Sequence, residues 1–222
     1  PEMQTLITQL QTIDEKAPPQ SASPAQLVEY LQRRTAIIER IVGASRPGQE
    51  TETWTKQLIN SLTSALQAGD KPSGVRLNQL LGSLKQKTPD SNLVAYAEYR
   101  QLFASYSSDI GQAANTEQQQ KIQTTWLTNL KTFVSKHPAS DDAPDAILQL
   151  ALNAEFAANA SDARAWYGQL VSKHGQSPQA VRAAGALQRM DLRGKALTLS
   201  GPDPAGRTIN VTNLKGRVVA VV

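Results

Sequence analysis

The side chains best suited to chemistry in this sequence are two histidines and a short run of aspartates. His137 and His174 are the two histidines of the 222 residues, and the chain contains no cysteine. Zinc fingers, haem-thiolate sites and cysteine nucleophiles are therefore excluded within these residues. A histidine at the C-terminal end of a helix interacts favourably with the helix dipole, so we interpret both histidines as structural.

The aspartates suggest a cation site, but helix physics explains them as well. Asp141, Asp142 and Asp145 precede or begin an Ala-rich helical segment, where acidic residues are expected, and no Asp-x-Asp-x-Asp-Gly loop accompanies them. The phosphate-binding pattern GxxxxGK[ST], the dinucleotide pattern GxGxxG and the nucleophile pattern GxSxG do not occur. We therefore predict no catalytic, cofactor-binding or metal-ligating residue in this sequence, and no cofactor.

Charge and hydropathy exclude two further classes. The net charge is +4, and residues 189–222 account for it with six basic and two acidic residues, so residues 1–188 are balanced. A nucleic-acid-binding protein is expected to carry clustered lysines and arginines on its main domain. Residues 1–188 have no such excess of positive charge, so we predict no nucleic-acid partner. No run approaches the roughly 20 apolar residues of a membrane span. The first residues contain no signal segment, so we expect any targeting peptide to lie upstream or to have been removed.

Residues 1–192 have the pattern of consecutive amphipathic helices separated by breakers. Ser23-Pro24 is an N-cap followed by proline in the first turn, and residues 43–48 end that helix. Residues 69–72 separate two further apolar stripes, and Asn115 caps a later helix. The stripes are formed by Trp54, Leu58, Leu62 and Leu66, then by Val75, Leu77, Leu80, Leu81 and Leu84, and after Asn115 by Ile122, Trp126, Leu130, Phe133 and Val134.

An aromatic seam is the most regular helical pattern. Its members step by 3, 4, 3 and 4 residues, as on a coiled-coil face. We interpret the seam as bundle core, with an aromatic partner-binding stripe as the alternative, because a soluble helix needs one buried face. The seam consists of Tyr96, Tyr99, Phe103, Tyr106 and Ile110.

An internal repeat follows with a period of 37 residues. Residues 134–140 recur as residues 171–177, bulky apolar residues precede each copy, and an Ala-rich helix follows it. Helical-hairpin solenoids pack small residues against bulky ones with similar periods. Residues 141–146 and 161–167 resemble degenerate tetratricopeptide-like repeats of bacterial envelope proteins. They lack the Leu-Gly step of the full signature, so peptide binding in a groove does not follow from them.

After residue 192 the periodicity changes from helix to strand. Residues 196–199 and 207–211 predict a hairpin around the turn cluster 201–206, and residues 213–216 form a second turn. Residues 217–222 are a continuous apolar, β-branched run, which is typical of a strand buried on both faces. Such a strand needs neighbours on both edges, so we expect an unpaired strand here to pair with the hairpin, with a second copy or with a partner chain.

The C-terminal stretch resembles the opening of a thioredoxin-fold domain of the TlpA/ResA redoxin family. Members begin with Gly-Lys-x-Leu-x-Leu, continue with a hairpin, and reach the central strand through Leu-Lys-Gly-Lys-Val-Val. Arg217 stands where that family more often has lysine. The matching residues are Gly194, Lys195, Leu197, Leu199, Gly206, Leu214, Lys215, Gly216, Val218 and Val219.

The helical pattern and this resemblance together predict a mainly α chain in three parts. These are a helical bundle (1–112), tetratricopeptide-like helical hairpins (113–192) and the first strands of a thioredoxin-like α/β domain (193–222). The resemblance also implies redox cysteines, in a Cys-x-x-Cys motif, about ten residues beyond Val222. The chain would then be the redox-inactive accessory region of a thiol–disulfide oxidoreductase in the bacterial periplasm, with disulfide-bearing client proteins as partners.

Two other interpretations remain open on the residues alone. The helices are equally typical of a non-enzymatic scaffold or protein-binding module joined to an unrelated α/β domain. A peroxiredoxin-type peroxidase shares a similar Leu-Lys-Gly step and would continue with Thr-x-x-Cys. The residues after Val222 distinguish the three: Trp-Cys-x-x-Cys, Thr-x-x-Cys or no cysteine.

Overall fold

The computed structural model describes residues 2–89, 91–192, 194–195, 199–203, 205–214 and 216. Over these residues the chain forms nine α-helices, a two-stranded antiparallel hairpin and a short 3-10 helix, which confirms the predicted mainly helical fold with a β-hairpin near its end. The elements are α1 Glu2–Asp14, α2 Pro24–Ala44, α3 Gln49–Gln67, α4 Lys71–Lys87, α5 Asn92–Gln112, α6 Thr116–Lys136, α7 Ala143–Phe156, α8 Ala160–Lys173, α9 Pro178–Asp191, β1 Ser200–Pro202, β2 Thr208–Asn210 and the 3-10 helix Val211–Leu214.

The chain divides into two compact units, Pro1–Leu150 and Ala151–Val222. Helix α7 runs through the boundary, so it contributes residues to both units. The sequence-based division into 1–112, 113–192 and 193–222 stays a prediction.

Helix α3 is the centre of the first unit, because it packs against α2, α4 and α5. Helix α1 covers α2, and α6 packs on the far side of α5. Ile38, Ile59, Leu77 and Val94, one from each of α2 to α5, are fully buried in a single apolar cluster. Each helix therefore buries one stripe and leaves its polar face to solvent, as the amphipathic pattern predicts.

The caps that the sequence predicts at helix starts are present. The Ser23 hydroxyl accepts from the Gln26 N–H, and the Gln26 side chain accepts from the Ser23 N–H, which completes a capping box. The Asn115 side chain likewise accepts from the Gln118 N–H at 2.9 Å. These side chains satisfy N–H groups that a helix start leaves without intrahelical partners.

Val75 is one residue of the predicted α4 stripe that lies on the wrong face. Its side chain is 57% exposed, whereas Leu77 and Leu81 are buried. Two residues correspond to about 200° around a helix, so Val75 points away from the side that Leu77 presents to the core. The prediction of a helix with a buried apolar stripe was correct for this segment, but Val75 does not belong to that stripe.

In the second unit, α8 and α9 pack against each other as a helical hairpin. Helix α8 contributes the bulky buried side chains Tyr167 and Leu170, and α9 contributes Ala180, Ala183 and Ala186. Small residues on one helix let the bulky side chains of the other approach closely, which is the packing that the repeat predicts.

The first strand of the β-hairpin extends further towards the turn than the sequence suggested. Gly201 and Pro202, assigned to the turn, belong to β1, and Gly201 pairs with Ile209. The Asp203 carboxylate closes a short loop by accepting from the N–H groups of Ala205 and Arg207, so strand pairing extends to the residue before it. Residues 196–198 of the predicted first strand, and the whole predicted strand 217–222, lie outside the described residues.

Candidate functional site

The 37-residue repeat is reproduced in the backbone around both histidines. Helices α6 and α8 each end one residue before His137 or His174, whose N–H donates to the carbonyl four residues earlier. The N–H of Ser140 then donates to the His137 carbonyl at 3.2 Å, and the N–H of Ser177 donates to the His174 carbonyl at 2.8 Å. The sequence repeat is therefore a structural repeat of helix end, turn and following helix.

The helices that lead into the two turns differ in length. Helix α6 has 21 residues and α8 has 14. Seven residues correspond to about two helical turns, so counting back from the histidines, residues 116–122 of α6 have no helical counterpart in α8.

The two histidine side chains have different surroundings. His137 Nε2 lies 2.5 Å from Glu98 Oε2, and both side chains are largely buried. His174 Nε2 is buried with no hydrogen-bond partner among the described residues. The two histidines occupy equivalent positions of the repeat, but among the described residues His137 contacts a carboxylate and His174 Nε2 has no hydrogen-bond partner.

The His174 site predicts a pH-dependent stability. Burial, and then the charge of Lys173, lower the pKa of His174 below its ordinary 6.5. The unfolded chain therefore takes up the proton first as the pH falls, and the free energy of unfolding decreases below about pH 6.5. In His174→Gln we expect a smaller loss of stability between about pH 7 and pH 5, measured by urea unfolding. An unchanged loss would assign the pH dependence to other groups.

Glu98 is the centre of an ionic cluster that joins three helices. Lys85 Nζ of α4 lies 2.7 Å and Lys136 Nζ of α6 lies 2.9 Å from the same oxygen, Oε1, and His137 contacts the other oxygen. The Glu98 side chain on α5 is 13% exposed. The Glu98 carboxylate thus contacts three basic side chains, one from α4 and two from the C-terminal end of α6 and the residue after it.

These contacts set the acidity of Glu98. Burial raises the pKa of this carboxyl, but hydrogen bonds from Lys85, Lys136 and His137 outweigh it and lower the pKa from 4.5 to about 2. A depressed carboxyl pKa adds stability that is complete above the unfolded pKa and is lost as the pH falls towards the folded value. Because the lysines are half exposed, we expect a contribution of about 1–2 kcal/mol.

Glu98→Gln should remove this contribution. The variant should be less stable than the parent near pH 7 by about 1–2 kcal/mol, and the difference should shrink between about pH 4.5 and pH 2. Urea unfolding across this range measures it, with the exposed Glu15→Gln as control. A difference that stays constant with pH would contradict an electrostatic origin.

A groove runs between α5 and α6 beside this cluster, and we call it the α5–α6 groove. One cavity of about 230 Å³ lies at the end that Glu98, Lys85 and Lys136 line. A second cavity of about 210 Å³ continues towards Lys121, and both cavities include Leu102 and Asn129 in their lining. The two cavities are therefore neighbours along the groove, one with a charged lining and the other with a more apolar lining.

The aromatic seam is divided between the core and this groove. Tyr99 is buried against Phe133, with ring centroids 5.3 Å apart, so the bundle-core interpretation is correct there. Tyr106 stacks on Trp126 at 4.8 Å in the lining of the groove. Phe103 is 39% exposed and meets Trp126 by its edge, so it is not a core residue.

The aspartates are not gathered into one site. Asp142 accepts a hydrogen bond from Arg100 at 3.3 Å, and the guanidinium also lies over the rings of Tyr96 and Tyr99. Burial raises the pKa of Asp142, whereas the Arg100 charge opposes the rise. Asp141 is exposed. Within the described part of the chain, no three His, Cys, Asp or Glu side chains are grouped to hold a metal ion.

A larger cavity of about 670 Å³ lies between the α2–α3 and α4–α5 connections. Two of its hydroxyls donate to backbone carbonyls: Thr55 donates to Thr51, and Ser45 donates to Val42. Its acid, Glu52, pairs with Lys56 at 2.9 Å. These polar groups are engaged within the fold, whereas the two lysines of the α5–α6 groove are about half exposed, so that groove is the stronger candidate binding site.

Glu98 was missed by the sequence analysis, although a weak signal existed. It is a single acid between seam residues Tyr96 and Tyr99, where a charged side chain must either face solvent or find a partner. Its partners come from other helices, and nothing in the local pattern indicates them.

Comparisons with protein-family models, curated proteins and solved structures found no match to this chain. Among the described helices, none is both long and apolar enough to cross a lipid bilayer.

Proposed function

We propose that this chain is the helical accessory region of a bacterial-envelope thiol–disulfide oxidoreductase of the TlpA/ResA redoxin type. The helices position the redox domain, dimerise it or contact its client proteins. The chain has no cysteine, so it carries no redox thiol of its own.

The observation that supports this proposal most is the hairpin that follows the helices. The resemblance requires two short antiparallel strands joined by a turn with glycine, and β1 pairs with β2 in that manner. Gly206 in the turn has a φ of +78°, a conformation that glycine adopts without strain. Leu214 and Gly216 follow at the spacing of the family's step into its central strand.

The chemistry implied by the resemblance is thiol–disulfide exchange. A Cys-x-x-Cys pair at a helix N-terminus has its first thiol acidified by the helix dipole. The thiolate attacks one sulfur of a client disulfide and forms a mixed disulfide, and the other client sulfur leaves as a thiolate. The thiolate of the second cysteine then attacks the sulfur of the first, which forms the enzyme disulfide and releases the remaining client thiolate, so the enzyme is oxidised and the client is reduced.

The reading frame beyond Val222 tests the proposal directly. A Trp-Cys-x-x-Cys motif within about a dozen codons would support it. A Thr-x-x-Cys motif would favour a peroxiredoxin-type peroxidase, and a frame without cysteine would overturn both. With the motif present, the full protein should reduce insulin disulfides, whereas Cys→Ser variants and residues 1–222 alone should not.

The envelope location is a separate part of the proposal. Cell fractionation of a bacterium expressing the full protein should recover it from the periplasm or envelope, where disulfide chemistry is favoured. Recovery only from the cytosol would contradict this part.

A second candidate function is a protein-binding helical module without redox activity. The open α5–α6 groove, with Phe103 exposed near it, favours this alternative. Partner binding by a protein whose reading frame lacks downstream thiols would distinguish it from the first proposal.

A further inference from the structure

The charged end of the α5–α6 groove has more positive groups than one carboxylate needs. Lys85 and Lys136 both approach Glu98 Oε1 within 3 Å, so the two ammonium nitrogens lie close together. An ammonium has three donors, and Glu98 accepts from one on each lysine. The lysine side chains are 44% and 52% exposed, which leaves them accessible to a second anion.

Electrostatics favours a carboxylate as that anion. Two like charges held together by one acid retain an excess positive charge, and a second carboxylate bridging the ammonium groups would balance it. Glu98 and, further along α5, Asp109 are negative groups in the groove lining. They would repel a continuous polyanion such as nucleic acid, whereas a segment with acids at one end avoids Asp109.

The other half of the groove suits apolar side chains. Leu102, Ile122 and the stacked rings of Tyr106 and Trp126 line it, together with polar residues that include Asn129 and Lys121. Recognition grooves commonly combine an apolar floor with a few placed charges. An occupant matching both halves needs carboxylates at one end and apolar side chains at the other.

The groove has the length of a short peptide. From Lys121 to Lys136 is fifteen residues of α6, or about 22 Å. An extended segment of about six or seven residues spans this distance.

We propose that the α5–α6 groove binds a short segment of a partner protein that carries acidic residues at one end and apolar residues at the other. The carboxylates bind Lys85 and Lys136, and the apolar side chains pack on Leu102, Tyr106 and Ile122, which are partly exposed in the groove lining. This binding does not depend on the redox proposal, because it needs only residues of α4, α5 and α6.

Fluorescence anisotropy with synthetic peptides tests the proposal on the chain as it exists. The probe is a fluorescein-labelled nine-residue peptide with three glutamates at one end and Leu, Phe and Leu at the other, made in both chain directions. Matched peptides carry lysines for the glutamates, or serines for the apolar residues. We expect one direction of the acidic, apolar peptide to bind at least about ten-fold more tightly than either matched peptide.

Two variants locate the binding. Lys85→Gln with Lys136→Gln should weaken it about five-fold to ten-fold, because charge-assisted hydrogen bonds are lost. Asn129→Trp should weaken it at least about ten-fold by filling the exposed centre of the groove. Lys131→Gln, exposed on the same helix, is the matched control and should leave binding unchanged. Circular dichroism checks that every variant folds.

Three results would overturn the proposal. One is equal binding of acidic and basic peptides, and another is equal binding of the apolar peptide and its serine counterpart. The third is an equal loss in Lys131→Gln and in the double lysine variant, which would indicate a general charge effect on the surface.

Discussion

Replacing Arg100 by methionine is expected to lower the free energy of unfolding by about 3 kcal/mol, because it leaves a buried carboxylate without its cation. The Asp142 side chain is 9% exposed and accepts a hydrogen bond from Arg100. Methionine keeps the apolar stem over the rings of Tyr96 and Tyr99 and removes the charge. The loss therefore reports the ionic contact more than the packing.

The pH dependence of the stability lost in Arg100→Met distinguishes the ionic contact with Asp142 from a loss of side-chain packing. Burial raises the pKa of Asp142, and Arg100 opposes that rise, so the pKa should be higher still in Arg100→Met. A protonated Asp142 needs no cation, so the difference from the parent should shrink as the pH falls. Urea unfolding at several pH values measures it. A loss that does not vary with pH would assign the effect to packing.

The surface pair Arg33–Glu29 provides the matched control. Both side chains are more than half exposed, and they lie four residues apart on one helix. Arg33→Met should cost less than about 0.5 kcal/mol, because water screens such pairs. Comparable losses in both variants would show that Arg100 acts only as a surface residue.

Leu130→Ala and Leu170→Ala are expected to destabilise the chain by about 3 kcal/mol each. The two leucines lie in α6 and α8, and both are fully buried. Removing three carbon atoms from a closely packed site loses their transfer free energy and leaves a cavity, which together cost 2–5 kcal/mol. The losses should be similar because both leucines are fully buried and lose the same three carbon atoms.

Exposed valines are the controls for these leucines. Val75→Ala lies in the first unit and Val181→Ala in the second, and both side chains are more than half exposed. Each should change stability by less than about 0.5 kcal/mol in thermal or urea unfolding. If either leucine variant unfolds like its valine control, the corresponding helix is not packed as described.

Local signals made the helical fold predictable. The capping side chains of Ser23 and Asn115 and the breakers between stripes act within a few residues, so the sequence alone indicates where these helices begin and end. The 37-residue repeat was equally visible, since both copies use the same turn after the histidine. Face assignment was less secure: Val75 shares a helix with the core residues and lies on its other side.

The candidate site could not be predicted in the same way. Glu98, Lys85 and Lys136 come from three helices, and their meeting depends on how α4, α5 and α6 pack rather than on any local pattern. Phe103 follows the seam periodicity and yet is 39% exposed, because periodicity alone does not tell which part of an apolar stripe a neighbouring helix covers. The first strand of the hairpin includes Gly201 and Pro202, which were assigned to the turn. The loop that follows is closed by hydrogen bonds to Asp203, and the composition of the segment does not indicate them.

Helix α6 is seven residues longer than α8, and these residues provide surface that α8 does not have. Inserting a near-integral number of turns lengthens a helix without rotating its far end, so the packing at the histidine turn is undisturbed. The seven extra residues of α6 include Lys121 and Ile122, which line the far end of the groove. One copy of the repeat thereby carries a candidate binding surface that the other lacks, while the turn after the histidine is the same in both copies.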